Sequence, residues 1–128
     1  MRILGIDYGV KRVGIALSDE NKKMSFPYAI LPNDKKIYIE IKKICEKETV
    51  EEIVLGLPLA LNNHDTNATK PAQDFKLRLE KELGLAVIFE KEFYTTKEAE
   101  RVQGKIKKID ASAAALILKH YFDKRGVK

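Results

Sequence analysis

The sequence has very few of the residues that build disulfide frameworks and zinc sites. Its 128 residues include one cysteine, Cys45, and two histidines, His64 and His120. A single thiol cannot form an internal disulfide, and so few thiol and imidazole ligands argue against a His/Cys zinc site. Cys45 falls on the apolar side of a predicted helix, so we expect a buried and unreactive thiol.

Long apolar runs, linkers and repeats are also absent from the sequence. No stretch approaches the roughly 18 to 20 uncharged apolar residues of a membrane-spanning helix, and Asp7 comes too early for a signal-peptide core. We therefore expect a cytoplasmic protein without membrane association. Because 45% of the residues are apolar and no Pro/Gly/Ser-rich linker interrupts them, residues 1–128 are expected to form a single domain.

Acidic and basic residues balance along most of the chain but not in its last quarter. Residues 1–96 carry 15 Lys and Arg against 15 Asp and Glu, whereas residues 97–128 carry nine against four, which accounts for the net charge of +5. A local excess of cations favours a polyanionic partner such as nucleic acid. A solvated, lysine-rich terminal segment is the alternative interpretation.

Alternating apolar runs and turns predict an α/β fold. Three short runs, 2–7, 13–18 and 25–31, are typical of an antiparallel meander. The predicted helices cover about 34–47, 70–83 and 110–123, with Asp34 capping the first, a short helix opening at a capping box of Thr95 and Glu98, and strands at 52–57 and 85–89. This order predicts a mixed five-stranded sheet, three antiparallel strands followed by two parallel ones, with helices on both faces. It resembles the ribonuclease H-like fold.

Asp7 is the first residue that the sequence singles out for chemistry. It ends an apolar strand between Gly5 and Gly9, which would let backbone and ligand come close. Burying a carboxylate costs several kcal/mol unless a cation or hydrogen bonds compensate it, so metal binding would explain the position. An aspartate that only starts the hairpin turn is one alternative. The ATP-handling first strand of the actin and sugar-kinase superfamily is another, since it also ends in Asp and Gly.

Two further carboxylates follow later elements. Asp110 opens the last helix, where small alanines beside it allow a close approach to the sheet, and it could reach a metal held by Asp7. A simple N-cap is the alternative role for Asp110. Glu92 follows the fifth strand, whose carboxyl end meets that of the first strand at one edge of the sheet. An exposed loop glutamate is the alternative role for Glu92, and Glu90 is a local competitor.

Basic residues flank two of these carboxylates in the sequence. They are Lys11 and Arg12 after Asp7, and Lys105, Lys107 and Lys108 before Asp110. If the carboxylates converge, these cations are placed to hold nucleic-acid phosphates around a metal site. A purely solvated role is the alternative. The polar segment 58–70 is a candidate substrate-facing flap.

Three blocks, in this order and spacing, carry a family resemblance over nearly the whole chain. They are residues 5–19, 53–59 and 109–118. Together they resemble the YqgF (RuvX-type) family of candidate nucleases, which implies a ribonuclease H-like fold related to RuvC-type resolvases. The resemblance carries the family's acidic positions to Asp7, Glu92 and Asp110. One block departs, since Lys91 and Phe93 stand where the family usually has Asp and Arg beside the glutamate.

The resemblance implies a nuclease that hydrolyses phosphodiester bonds of structured nucleic acid. Three converging carboxylates would repel each other, and Mg²⁺ or Mn²⁺ would relieve that repulsion while taking oxygen ligands. The implied function is processing of the 5′ end of precursor 16S ribosomal RNA in ribosome biogenesis, with Holliday-junction cleavage as the alternative. A weakly catalytic nucleic-acid-binding module for ribosome assembly and a nucleotide-binding fragment related to actin-like ATPases are further hypotheses. We expect a monomer or a homodimer.

Overall fold

The computed structural model describes residues 1–60, 69–94 and 112–125, which form one sheet and three helices. The strands are β1 (Arg2–Tyr8), β2 (Arg12–Ser18), β3 (Ser25–Pro32), β4 (Val50–Ala60) and β5 (Ala86–Tyr94), and the helices are α1 (Ile37–Glu48), α2 (Thr69–Leu83) and α3 (Ser112–Arg125). The sheet order is β3-β2-β1-β4-β5. β1, β2 and β3 are antiparallel, whereas β4 and β5 run parallel to β1. The predicted mixed sheet is confirmed.

Helices α1 and α2 cover one face of the sheet. Each helix buries a stripe with helical spacing, as predicted: Ile37, Ile41 and Cys45 on α1, and Ala72, Phe75 and Leu79 on α2. These stripes pack with strand residues such as Leu4, Ile15, Ile53 and Val87 in one core cluster. Each fully buried Leu or Ile in it contributes about 1.5–3 kcal/mol, so this cluster holds the two helices to the sheet.

Helix α3 covers the opposite face of the sheet. Its buried residues Ala114, Ile117, Leu118 and Tyr121 pack with Ile3, Ala16 and Val54. The approach is close at Gly5, because a Cβ there would lie 2.6 Å from Leu118 Cγ and 3.0 Å from the Ala114 carbonyl oxygen. The absence of a side chain at Gly5 therefore makes room for α3 and not for a ligand. Helices on both faces are confirmed.

The sequence predicts the end of α2 correctly but not the beginning of α1. Asp34 Oδ1 accepts a hydrogen bond from the Lys36 amide at 2.9 Å, and the Asp34 carbonyl accepts one from Ile37. Asp34 thus forms a turn before the helix, and the prediction that it caps α1 directly is wrong. Gly84 does end α2 as predicted, at φ +70°, with its amide donating to the Glu80 carbonyl at 3.0 Å.

Cys45 is buried in the core beneath α1, as the sequence predicts. Burial raises the pKa of its thiol to about 12, which keeps the thiol protonated and unreactive at neutral pH. None of the described helices is both long and apolar enough to cross a membrane. The assignment of residues 1–128 to a single domain stays a prediction. The capping box of Thr95 and Glu98, and residues 61–68 of the predicted flap, lie outside the described residues.

Candidate active site

Asp7 lies at the carboxyl end of β1, the middle strand of the sheet. It pairs with Gly14 of β2, and its side chain is half-buried. Side chains alternate between the two faces of a strand. Ile3 and Gly5 face α3, whereas Tyr8 packs on the side of α1 and α2. Asp7 therefore lies on the α3 face of the sheet, at its carboxyl edge.

The hairpin that follows Asp7 is held by Asn33, a residue that sequence reasoning missed. Its side-chain Nδ2 donates to the Gly9 carbonyl at 2.8 Å, and its backbone amide donates to the Lys11 carbonyl at 2.9 Å. The turn is also tight, since a Cβ on Gly9 would lie 2.5 Å from the Arg12 carbonyl oxygen. An asparagine directly after the third strand is a weak sequence signal, because its partner is more than twenty residues away.

The parallel strands β4 and β5 end at the same edge of the sheet as β1. Leu55 of β4 pairs with both Ile6 of β1 and Phe89 of β5. Continuing that register by one residue brings Asp7 level with Glu90, two strands away. At about 4.8 Å per strand spacing, β1 and β5 are about 10 Å apart across β4. The predicted meeting of strand ends at one edge is thus observed for the backbone.

Glu90 is a buried carboxylate at this edge. Its side chain is only 5% exposed, and one of its oxygens lies 2.8 Å from Lys124 Nζ. Lys124 belongs to the last turn of α3, so this ion pair joins the end of that helix to β5. From the sequence, Glu90 is only an alternative to Glu92 as the acidic residue of the site. The packing of α3 on the sheet shows that Lys124 is the partner of Glu90.

Glu92 lies inside β5 rather than after it. The strand continues to Tyr94, and Glu92 pairs with Pro58 of β4. The prediction that the fifth strand ends near Phe89 and the fourth near Leu57 is wrong, because the two strands extend together and each supplies hydrogen-bonding partners for the other. Glu92 is therefore two residues beyond Glu90, nearer the carboxyl edge.

Asp110 and the lysines before it, Lys105, Lys107 and Lys108, lie outside the described residues. The chain is described again from Ser112. The Ala114 carbonyl oxygen is within 3.0 Å of the Cβ position on Gly5, two residues before Asp7 on the same face. The chain has therefore returned to β1 four residues after Asp110.

Lys11 and Arg12 occupy the hairpin beside Asp7, and both are exposed. Among the described residues, no three or more His, Cys, Asp and Glu side chains form a group that could hold a metal ion. Asp110 is not among the described residues. The site of three carboxylates therefore stays a prediction.

Comparison with known proteins assigns the chain to a family. The sequence profile of the RuvX family, described as a Holliday junction resolvase, matches residues 1–124. The chain belongs to the RuvX family. The resemblance that the three sequence blocks indicate is thus confirmed.

Two bacterial relatives match over nearly their full length, and both are named as candidate pre-16S rRNA nucleases. The protein from Maridesulfovibrio salexigens is 36% identical over 92% of this chain and 95% of its own. The protein from Mycoplasma mobile is 35% identical over 100% of this chain and 96% of its own. The RuvX profile therefore spans every strand of the sheet, and each relative matches more than nine-tenths of this chain.

A solved structure supports the fold of this RuvX chain. Thermus thermophilus RuvC, determined in complex with a Holliday junction substrate, superposes with a TM-score of 0.58 at 15% identity, covering 99% of this chain and 96% of that one. At this identity the likeness concerns the fold alone. It confirms the predicted ribonuclease H-like fold.

Proposed function

We propose that this RuvX-family protein is a metal-dependent nuclease that hydrolyses phosphodiester bonds of structured nucleic acid. The observation that carries the proposal is the position of Asp7, a half-buried carboxylate at the edge where three parallel strands end. Open α/β sheets bind their ligands at this edge. The names of the relatives favour precursor 16S ribosomal RNA as substrate, and the family resemblance implies its 5′ end. Such a role implies the bacterial cytoplasm.

Asp7, Glu92 and Asp110 are the proposed catalytic residues and metal ligands. Carboxylate oxygens suit Mg²⁺ or Mn²⁺, so the donor set fits the ion that the family resemblance implies. When bound, the metal would supply an activated water and stabilise the leaving oxygen of the phosphodiester. The chain contributes the position of Asp7, which the strand pairing of β1 and the Asn33 contacts to the hairpin hold in place.

Lys11 and Arg12 are the proposed phosphate contacts nearest to Asp7. Both are exposed on the hairpin that Asn33 anchors, so their charges project from a fixed backbone. Contacts of this kind position a substrate without reading its sequence. Lys105, Lys107 and Lys108 are proposed to contribute further phosphate contacts near Asp110.

Holliday-junction cleavage is the second candidate function. The fold likeness to a RuvC solved with junction DNA favours it. A junction resolvase would cut two strands and would therefore act as a homodimer, whereas RNA trimming requires only a monomer. A weakly catalytic binding module is the third candidate. It is motivated by Lys91 and Phe93, which stand in the sequence beside Glu92 where the family usually has Asp and Arg, and Lys91 is exposed.

Asp7→Asn tests the proposal. We expect the parent protein to cleave precursor 16S ribosomal RNA with Mg²⁺ or Mn²⁺ and not with EDTA. Asp7→Asn should lower the cleavage rate by about 100-fold or more, because several kcal/mol of transition-state stabilisation depend on the metal site. Binding of the RNA should be nearly unchanged, since the substitution leaves the basic residues in place. Gel assays of cleavage and fluorescence anisotropy measure the two effects.

Asp34→Asn is the matched control, because it makes the same change in an exposed turn on the protein surface. It should cleave like the parent. Retained metal-dependent cleavage in Asp7→Asn would contradict the assignment of Asp7. Cleavage of a four-way junction but not of the RNA would favour the second candidate, and salt-sensitive binding without any cleavage would favour the third.

A further inference from the structure

A concave surface lies on the face of the sheet opposite to Asp7. It encloses about 460 Å³ and is lined by Tyr8 of β1, Tyr38 of α1, and Phe75, Arg78 and Lys81 of α2 among others. We call this surface the aromatic groove. Tyr8 directly follows Asp7 in β1, so the groove starts at the same carboxyl edge of the sheet, on the face opposite to Asp7.

Three aromatic rings form the floor of the aromatic groove. The Phe75 ring centroid lies 4.8 Å from that of Tyr8 and 5.4 Å from that of Tyr38. Phe75 is buried and supports the other two rings, which remain partly exposed. Partly exposed rings on a rigid support are the surfaces on which nucleic-acid bases stack.

Two cations stand beside these rings. The Arg78 guanidinium carbon is 4.8 Å from the Tyr38 ring centroid, and Arg78 Nε donates to Glu82 at 2.9 Å. These two contacts hold the guanidinium plane in one place, where it can bind phosphate or stack on a base. Lys81 adds an exposed ammonium group. Among the described residues that line the groove, Asp74 is the one acid, and it pairs with Lys70 at 2.9 Å. Arg78 pairs in the same way with Glu82, so the net positive charge of the lining comes from Lys81.

We propose that the aromatic groove binds an unpaired nucleic-acid segment next to the phosphodiester that Asp7 addresses. The proposal rests on the proposed nuclease function. Bases of the segment stack on Tyr8 and on the outer face of the Arg78 guanidinium, which covers the Tyr38 ring, and its phosphates contact Lys81. A duplex keeps its bases stacked on one another, so only a single-stranded segment offers base faces to Tyr8 and Arg78. The groove therefore favours substrates in which a stem adjoins a single strand.

Binding to two RNA hairpins in EDTA tests the proposal without any cleavage. The hairpins share one stem, and one of them carries a short unpaired extension. In the parent protein the extension should tighten binding by about fivefold or more, the effect of one stacked base. In Arg78→Ala/Lys81→Ala, and in Tyr38→Leu/Arg78→Ala, the extension should tighten binding by less than about twofold. Affinity for the blunt hairpin should change much less. Fluorescence anisotropy gives all of these affinities.

Tyr28→Leu/Lys47→Ala is the matched control. Tyr28 of β3 donates a hydrogen bond to Glu48 at the end of α1, and Lys47 is in the last turn of that helix, so the variant removes a tyrosine and a cation away from the groove. It should retain the full effect of the extension. An extension effect that persists in Arg78→Ala/Lys81→Ala, whose side chains are both exposed and whose loss leaves the core intact, would overturn the proposal. So would a parent protein that binds both hairpins equally. Cleavage by Asp7→Asn is a separate measurement, so failure of the nuclease function and failure of the groove are distinguishable.

Discussion

The two glycines that flank Asp7 are needed for different contacts. At Gly5 the nearest atoms to an added Cβ belong to α3, and the closest is the Leu118 side chain. At Gly9 the nearest atom is the Arg12 carbonyl oxygen, which is backbone and cannot turn away. The sequence predicts a close approach at both positions. Only the fold shows that a helix makes the approach at Gly5 and the hairpin itself makes it at Gly9.

Gly5→Ala should lower the free energy of unfolding by about 1–3 kcal/mol, because the new methyl group would lie 2.6 Å from Leu118 Cγ. Leu118→Ala alone should cost about 2–5 kcal/mol. When Leu118 is already alanine, the additional cost of Gly5→Ala should be smaller, since the crowding carbons are gone. Urea denaturation of the four proteins measures this coupling. Equal costs of Gly5→Ala in both backgrounds would contradict the close contact.

At the scale of elements, α3 crosses the whole width of the sheet. Ser25 Oγ of the outer strand β3 donates to the Ala115 carbonyl at 2.9 Å, and Lys124 pairs with Glu90 of the outer strand β5. A helix of 14 residues is about 21 Å long, and four strand spacings measure about 19 Å. The length of the helix therefore matches the sheet. Both ends of α3 are fastened by polar contacts to outer strands.

The Glu90–Lys124 ion pair should stabilise the docking of α3. Lys124→Met leaves a buried carboxylate without its cation, so we expect it to lower the free energy of unfolding by about 1–3 kcal/mol. Glu90→Gln/Lys124→Met should recover part of that loss, since no charge is then left unpaired. Lys119→Met, at an exposed lysine of the same helix, is the control and should cost less than about 0.5 kcal/mol. A cost for Lys124→Met no larger than this would contradict the role of the pair.

At the scale of the whole molecule, the sheet gathers residues that are far apart in the sequence. Parallel pairing of β1, β4 and β5 brings the neighbourhoods of Asp7, Gly56 and Glu90 to one edge. The hairpin with Lys11 and Arg12 lies at that edge too. The net positive charge of the last quarter is spread over the segment before α3, the helix itself and the residues after it, and α3 packs on β1.

The lysines before Asp110 should control the salt dependence of nucleic-acid binding. Each phosphate contact adds about 0.7 to the slope of log K against log salt for single strands. Lys105→Ala/Lys107→Ala/Lys108→Ala should therefore reduce the slope by up to about 2. Lys42→Ala/Lys43→Ala/Lys47→Ala removes three exposed charges from α1 and is the matched control. Equal slopes for the two triple variants would support the alternative of a solvated, lysine-rich segment.

The type and order of the described elements, and therefore the class of sheet, follow from the sequence alone, because they depend on local periodicity. The stripe on α2 and the end of that helix at Gly84 depend on residues within a few positions of each other, and both are as predicted. The position of Asp7 next to the end of β1 is similarly local. The order of the sequence blocks also indicated the family.

Tertiary structure decided the features that depend on partners distant in the sequence. β4 and β5 extend beyond their predicted ends because each provides hydrogen bonds for the other. Glu90 is paired because α3 carries Lys124 to it, and Asn33 anchors the hairpin because β3 ends beside β2. Backbone preference acts over a few residues, whereas register, ion pairing and close packing arise only when separate elements meet.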